Sequence, residues 1–335
     1  MGNEWAFVLI HKNEGYHKFD WKNLESRGNP IPMNKRKLIV GIICALIVQL
    51  IFGFSLVFTS FGLAVATPMS LLAWRFLCAF MIFQICIWLG IIQVNLKGKT
   101  LTPLLIIAVF FPFLYFVGET IGVNLTSASE SGAMIAVIPI ATLTFSALIL
   151  KIKPSKMQAL GILVSILGII IIVIRQGIDL IFNPLGYAML SLAVISYALY
   201  GVFAQKAKDF SASEKSYIMS IIGAVTFTIL ASIENIIHGT FTNFLLLPIQ
   251  YPTFLLSILY LGIGSSIGAF LLYNTAIDCI GANRAVSFAG VSTVVAITSG
   301  ILILNETFTL IQGIGAVLVI AGVYIANVLT KRKKS

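Results

Sequence analysis

Ten long apolar runs, separated by short connections, occupy this chain from residue 38 to residue 329. A helix needs about 20 residues to cross the roughly 30 Å hydrocarbon layer of a bilayer, and each run is close to that length. The runs are continuous rather than alternating, which favours helices over the strands of a membrane barrel. The pattern predicts an all-α polytopic membrane protein with ten transmembrane helices. The predicted limits are Leu38–Phe58, Pro68–Leu89, Pro103–Val123, Ser131–Leu150, Met157–Ile174, Leu185–Phe203, Tyr217–Ile237, Phe254–Ala276, Ala285–Leu304 and Leu310–Leu329.

Lysine and arginine concentrate on alternate connections, which predicts the orientation in the membrane. With both termini in the cytoplasm, the inner side carries nearly all the basic residues and the outer side only Arg175. We therefore predict a multi-pass protein of the plasma (cytoplasmic) membrane, and its net charge of +10 reflects basic loops rather than a nucleic-acid partner. The inner basic residues are Lys35, Arg36, Lys37, Lys97, Lys99, Lys151, Lys153, Lys156, Lys206, Lys208, Lys215, Arg284 and residues 331–334.

The two ends of the chain lie outside the apolar pattern. Residues 1–37 form a predicted cytoplasmic extension without a targeting signal, because the apolar run Ala6–Ile10 is too short for one. Met33, followed by basic residues and the first helix, resembles a natural start. Residues 1–32 are therefore either an upstream reading-frame extension or a poorly ordered tail. Residues 331–335 form a basic cytoplasmic tail.

An internal repeat divides the chain into two related halves, predicted at residues 38–175 and 184–330. A Q-x2-G-x6-G pattern in the fifth apolar run recurs in the tenth at an offset of 154 residues. Because each half has five helices, an odd number, the second half enters the membrane from the opposite side. Inverted repeats of this kind form the two conformations of many secondary transporters. The repeated residues are Gln158, Gly161 and Gly168, and Gln312, Gly315 and Gly322.

These halves resemble the drug/metabolite transporter superfamily, in its ten-helix form with two EamA domains. The resemblance implies a secondary transporter that moves small polar metabolites by alternating access, with export of amino acids or related metabolites and drugs expected first. Import of a vitamin, nucleoside or sugar is the alternative. Besides the repeat, the resemblance rests on Pro68, Arg75, Tyr115, Gly118, Ala128, Pro139, Gly281–Ala285 and Leu304–Thr309. The chain departs from the family at Phe52, at Lys151–Lys153 and at Thr293, which aligns with Pro139.

Other classes of function lack their characteristic residues. No hydrolase, metalloprotease or nucleotide-binding motif occurs, so the chain is not predicted to be an enzyme. A non-transporting receptor or scaffold would be favoured by long soluble loops, which the sequence lacks. No cofactor or metal is expected, and the expected partners are a small-molecule substrate, the lipid bilayer and, as a coupling ion, protons. The protein is expected to be a monomer or homodimer. The histidines and cysteines, none in a metal-binding pattern, are His11, His17, His238, Cys44, Cys78, Cys86 and Cys279.

Two ionisable residues lie within predicted helices, where a charge is costly and marks a functional site by default. Arg75 and Glu119 fall at similar depths toward the outer ends of the second and third helices. Together they would bind both ends of a zwitterion, or Glu119 would carry a proton. The alternatives are a structural ion pair, or an Arg75 that reaches the outer headgroups beside Trp74.

Neutral polar residues within the helices supply further candidates for the cavity, although hydrogen bonding between helices is their commoner role. Pro139 is a candidate hinge, because it removes one helical hydrogen bond. Glu130 and Arg284 occupy equivalent positions in the two halves and are candidate gate residues. The neutral candidates are Gln49, Tyr197, Tyr200, Asn274, Ser292 and Thr293.

Overall fold

The computed structural model describes residues 35–150, 155–178, 183–306 and 309–327, and all their regular structure is helical. The predicted N-terminal extension 1–32 and the tail 331–335 lie outside the described residues. Ten helical stretches, which we call spans 1 to 10, correspond to the ten apolar runs. They are Lys35–Leu63, Pro68–Trp88, Thr102–Leu125, Ala128–Ile149, Lys156–Ile178, Pro184–Lys206, Ala212–Ile237, Pro252–Ile280, Ala282–Leu304 and Leu310–Asn327.

The spans form a polytopic membrane protein. Within the described ranges, eight of them are long and apolar enough to cross a membrane. Spans 5 and 10, of 23 and 18 residues, complete the set and pack against each other. Large apolar side chains such as Leu148, Ile229 and Val294 are exposed on the outside of the bundle. A bilayer covers such a surface, whereas water would favour aggregation.

Polar caps explain where several spans begin. Thr67 accepts a hydrogen bond from the Ser70 N–H at the start of span 2, and Asn183 caps span 6 in the same way. Ser211 and Glu214 form a reciprocal capping box at the start of span 7. The caps satisfy backbone donors that have no partner within the helix.

Two pairs of spans are interrupted at corresponding places in the two halves. Span 3 is kinked within Val109–Leu114, where Phe111 has extended backbone angles and precedes Pro112, and span 8 contains a wide π-helical stretch, Tyr260–Gly268. Spans 4 and 9 are each broken once, after Ile135 and after Val286. Pro139 is the second residue after the break in span 4, where a helix needs no N–H donor.

Spans 5 and 10 cross at the glycines of the repeated pattern, where the two backbones approach closely. A Cβ atom on Gly168 would lie 2.5 Å from the Gly315 carbonyl oxygen, and one on Gly322 would lie 2.5 Å from that of Gly161. Gly161 and Gly315 are equivalent in the two halves, as are Gly168 and Gly322, so the contact is reciprocal. Reciprocal contact is what an inverted pair of repeats produces.

One further helix, Phe241–Gln250, lies between spans 7 and 8, where the sequence predicts only a connection. Its ten residues are too few to cross a bilayer. The Trp74 indole N–H donates to the Phe244 carbonyl oxygen at 2.9 Å, which ties this helix to span 2.

We predict that Gly168→Ala lowers the free energy of unfolding by about 1–3 kcal/mol, because its methyl group would meet backbone atoms of span 10. Thermal unfolding of the purified protein in detergent measures the effect. Gly313→Ala is the matched control, since a Cβ there has open space, and we expect no loss of stability. Equal stability of the two variants would contradict the close packing of spans 5 and 10.

Candidate functional site

A small central cavity, of about 20 Å³ in this conformation, lies between the two halves of the bundle. Ile135 and Ile138 line it at the break in span 4, and Val286 and Ala289 line it at the break in span 9. Both interruptions therefore meet at the same space. Discontinuous helices at the interface between repeats are typical of the binding sites of secondary transporters.

The polar lining includes three of the residues selected from the sequence, Gln49, Tyr197 and Ser292. Tyr115, which the sequence singled out only as a motif residue, lines the cavity as well. Ser292 donates a 2.7 Å hydrogen bond to the Ala289 carbonyl oxygen of its own span. The cavity thus combines phenol, amide and hydroxyl groups with aromatic and aliphatic walls.

Two of these polar groups are uncommitted. Among the described residues, neither the Gln49 amide nor the Tyr115 hydroxyl has a hydrogen-bond partner, and Gln49 is only 3% exposed. A buried polar group without a partner is costly, so these groups favour a ligand or water that bonds to them.

Arg75 lies behind this lining rather than within it. Its side chain is 1% exposed, and its guanidinium donates to Ser265 and Ser266 at 2.9 Å each. The guanidinium carbon lies 4.0 Å from the centre of the Phe116 ring. Both serines belong to the π-helical stretch of span 8, so Arg75 joins span 2 to the interruption in that span. Nothing in the sequence pattern indicates this contact.

Glu119 is also 1% exposed and follows Tyr115 by one helical turn. Thr120 donates a 3.4 Å hydrogen bond to its carboxylate. Among the described residues, no salt bridge within 4.0 Å joins Glu119 to Arg75, and neither lines the cavity in this conformation.

The remaining neutral candidates bond to neighbouring spans. Asn274, fully buried, accepts from the Tyr200 hydroxyl at 3.0 Å and donates to Ser216 at 3.1 Å. Thr293 donates to the Gly132 carbonyl oxygen at 3.1 Å, which links spans 9 and 4. These bonds are of the interhelical kind and lie beside the cavity.

The candidate gate residues lie in the first turns of spans 4 and 9. Glu130, in the first turn of span 4, accepts a 3.4 Å hydrogen bond from Gln312 at the start of span 10. Arg284 lies in the short segment Ala282–Val286 that precedes the break in span 9. The two positions are thus placed as equivalents, each at the first turn of its span.

A stronger contact at the predicted outer end involves Glu306, which the sequence marked only as part of a motif. Its carboxylate accepts from the backbone N–H groups of Ala128 and Ser129, at 2.8 and 2.9 Å. A carboxylate at a helix N-terminus forms charge-assisted hydrogen bonds. At the predicted inner end, the equivalent Ala282 N–H is held by the neutral Gln205 side chain at 3.0 Å. The first backbone N–H groups are therefore held by a charged acceptor at the predicted outer end of span 4 and by a neutral one at the predicted inner end of span 9.

Within the part of the chain that the structure describes, no group of three or more His, Cys, Asp or Glu side chains is placed to hold a metal ion.

Comparison with known proteins identifies a transporter family and a known fold. Residues 39–174 and 184–328 each match the EamA-like transporter family. An uncharacterized transporter of Bacillus subtilis (strain 168), YcxC, is 33% identical over 303 residues, which cover 90% of this chain and 97% of that protein. A second from the same organism, YyaM, is 27% identical and covers 83% of this chain and 92% of its own. One solved structure, titled only as a crystal structure of a protein, has a TM-score of 0.59 at 17% identity and covers 88% of this chain and 98% of its own. It shows the fold alone.

We predict that Arg75→Ala lowers the free energy of unfolding by about 3 kcal/mol, because two hydrogen bonds from a charged donor are lost. Arg75→Lys should recover only part, since an ammonium lacks the planar fork that reaches both serines. Thermal unfolding with Ser266→Ala and the double variant Arg75→Ala/Ser266→Ala measures the coupling. Strictly additive losses would show that the Arg75–Ser266 bond contributes nothing.

Proposed function

Because this chain belongs to the EamA-like transporter family, we propose that it is a secondary transporter that exports amino acids or related small polar metabolites by alternating access. The observation that carries the proposal is the central cavity, where the breaks of spans 4 and 9 meet and the Gln49 amide and Tyr115 hydroxyl are free to bind a solute. A site at the interface of inverted repeats opens to one side or the other when the repeats exchange conformations.

The contacts at the two ends favour a conformation that is closed on the predicted outer side. There, Glu306 of the second half holds the first turn of span 4 in the first half. At the predicted inner end, an inner vestibule of about 650 Å³ opens between spans 6, 7 and 8. Opening to the outside would require release of the Glu306 contact, which makes Glu306 a candidate outer latch. In this scheme both termini are cytoplasmic.

The lining of the cavity supports a small solute with both apolar and polar parts. The rings of Phe52, Tyr115 and Tyr197 offer apolar and edge contacts, and few polar atoms are present to fix orientation. Arg75 and Glu119 lie behind Tyr115 and would supply both charges for a zwitterion when span 3 moves. If Glu119 carries a coupling proton, Glu119→Gln would flatten the pH dependence of net export and spare the exchange of labelled substrate.

We predict that Tyr115→Phe lowers the initial rate of efflux about tenfold, because one hydrogen bond to the solute is worth about 1.4 kcal/mol. Proteoliposomes loaded with a panel of amino acids, amines and nucleosides first identify a solute that the native protein carries. Tyr217→Phe is the matched control, since it removes a hydroxyl that bonds Gln84 outside the cavity.

Equal rates for the native protein and Tyr115→Phe would exclude Tyr115 from the transport site. An equal loss in Tyr217→Phe would attribute the effect to the fold rather than to the cavity.

A further inference from the structure

The inner vestibule is a second space that the central cavity does not include. Its wall carries charged residues from the connections after spans 2 and 6 and from spans 7 and 8. Two ion pairs lie there, Lys99 with Glu214 and Lys215 with Asp278. The sequence predicts Lys215 only as a loop charge, and Asp278 falls just beyond the predicted end of the eighth helix.

In the first pair, Lys99 with Glu214, both carboxylate oxygens already accept hydrogen bonds within the protein. Both carboxylate oxygens of Glu214 accept from Lys99, at 2.8 and 2.7 Å. Glu214 also accepts from the backbone N–H groups of Asn95 and Ser211. It serves the capping box of span 7 and leaves no oxygen for a ligand. Lys208 and Asp209, the other charged residues of the wall, are exposed at the rim.

The second pair is asymmetric. The Lys215 ammonium donates to Asp278 Oδ1 at 2.6 Å, and the lysine side chain is fully buried whereas the aspartate side chain is 39% exposed. Among the described residues, Asp278 has no other partner, so its second oxygen remains available at the vestibule wall. The pair therefore presents a carboxylate to the vestibule and keeps its cation behind, in the interface of spans 7 and 8.

Between this carboxylate and the central cavity lies a row of buried polar and aromatic side chains, which are packed together in this conformation. Asn274 lies one turn before Asp278 on span 8, and it bonds Tyr200 and Ser216. The Tyr200 ring lies 5.7 Å from that of Tyr197, which lines the cavity. Passage of a solute from the vestibule to the cavity would require these side chains to move apart.

We propose that Asp278 is a vestibule site for the ammonium group of a primary amine or amino acid, and that Lys215 is the internal cation that shares this carboxylate. An ammonium ion would bind the free oxygen by a charge-assisted hydrogen bond. The buried Lys215 competes for the same negative charge and so keeps the affinity low enough for the solute to move on. The role of this site in transport rests on the proposed function. Binding of an amine to Asp278 is measured separately, without a transport assay.

Two probes of the same shape test whether binding requires a positive charge. At neutral pH, 3-methylbutylamine carries an ammonium group, whereas 3-methylbutan-1-ol is uncharged. Saturable shifts in the unfolding temperature of the purified full-length protein report binding. We expect the amine, and not the alcohol, to bind the native protein. Absence of saturable amine binding would overturn the proposal.

Two variants of the Lys215–Asp278 pair should change the affinity for the amine in opposite directions. Lys215→Met removes the cation that competes with the amine. The Asp278 carboxylate is partly exposed and stays hydrated in this variant, so the amine should bind about tenfold more tightly. Lys215→Met/Asp278→Asn removes both charges and should abolish binding. Asp278→Asn alone is avoided, because it would leave Lys215 buried without its counter-ion. Asp209→Asn, at the rim, is the matched control and should bind like the native protein.

Unchanged affinity in either Lys215 variant would contradict the assignment of Asp278. Loss of amine binding in Tyr115→Phe, with binding retained in the double variant, would move the ammonium site to the central cavity and leave the proposed function standing. The converse, amine binding that follows Asp278 in a protein that transports none of the solute panel, would retain the vestibule site and refute the proposed function.

Discussion

Hydrogen bonding of the backbone within a bilayer is the constraint on which this structure depends. Hydrocarbon offers no partner for an N–H or C=O group, so spanning segments are helical, and irregular backbone is tolerated only inside the protein. The interruptions obey this rule. The breaks after Ile135 and Val286 face the central cavity, and the wide stretch Tyr260–Gly268 is contacted by Arg75. The departures from regular helix thus lie where two halves of opposite orientation meet.

The helices and the repeat could be predicted because their signals are local. Twenty apolar residues mark a span, and Gly168 and Gly322 recur at one offset because both fill the same reciprocal contact. The interruptions could not be predicted in full, since Pro112 lies within the one in span 3 and Pro139 lies close to the one in span 4, whereas those in spans 8 and 9 contain no proline. The helix Phe241–Gln250 was missed because its length is below that of a span.

The candidate site was predicted in part. Polar residues inside apolar helices are few, which is why Gln49 and Ser292 could be selected and are found at the cavity. Arg75 was selected too, but its serine partners are distant in sequence and common in type, so the contact had no signal. Glu306 and Asp278 were missed as candidates because each lies at or beyond the end of a predicted span, where a charge looks like part of a loop.

The central claim is that the cavity opens alternately to the two sides of the membrane. The most direct measurement is the reaction of Ser292→Cys with a membrane-impermeant maleimide, in a protein whose native cysteines are replaced by serine, added to one side at a time of oriented proteoliposomes. If the cavity opens alternately, the thiol reacts from either side, and a transported solute in saturating amount changes the ratio of the two rates. Reaction from one side only, whatever solute is present, would contradict alternating access through this cavity.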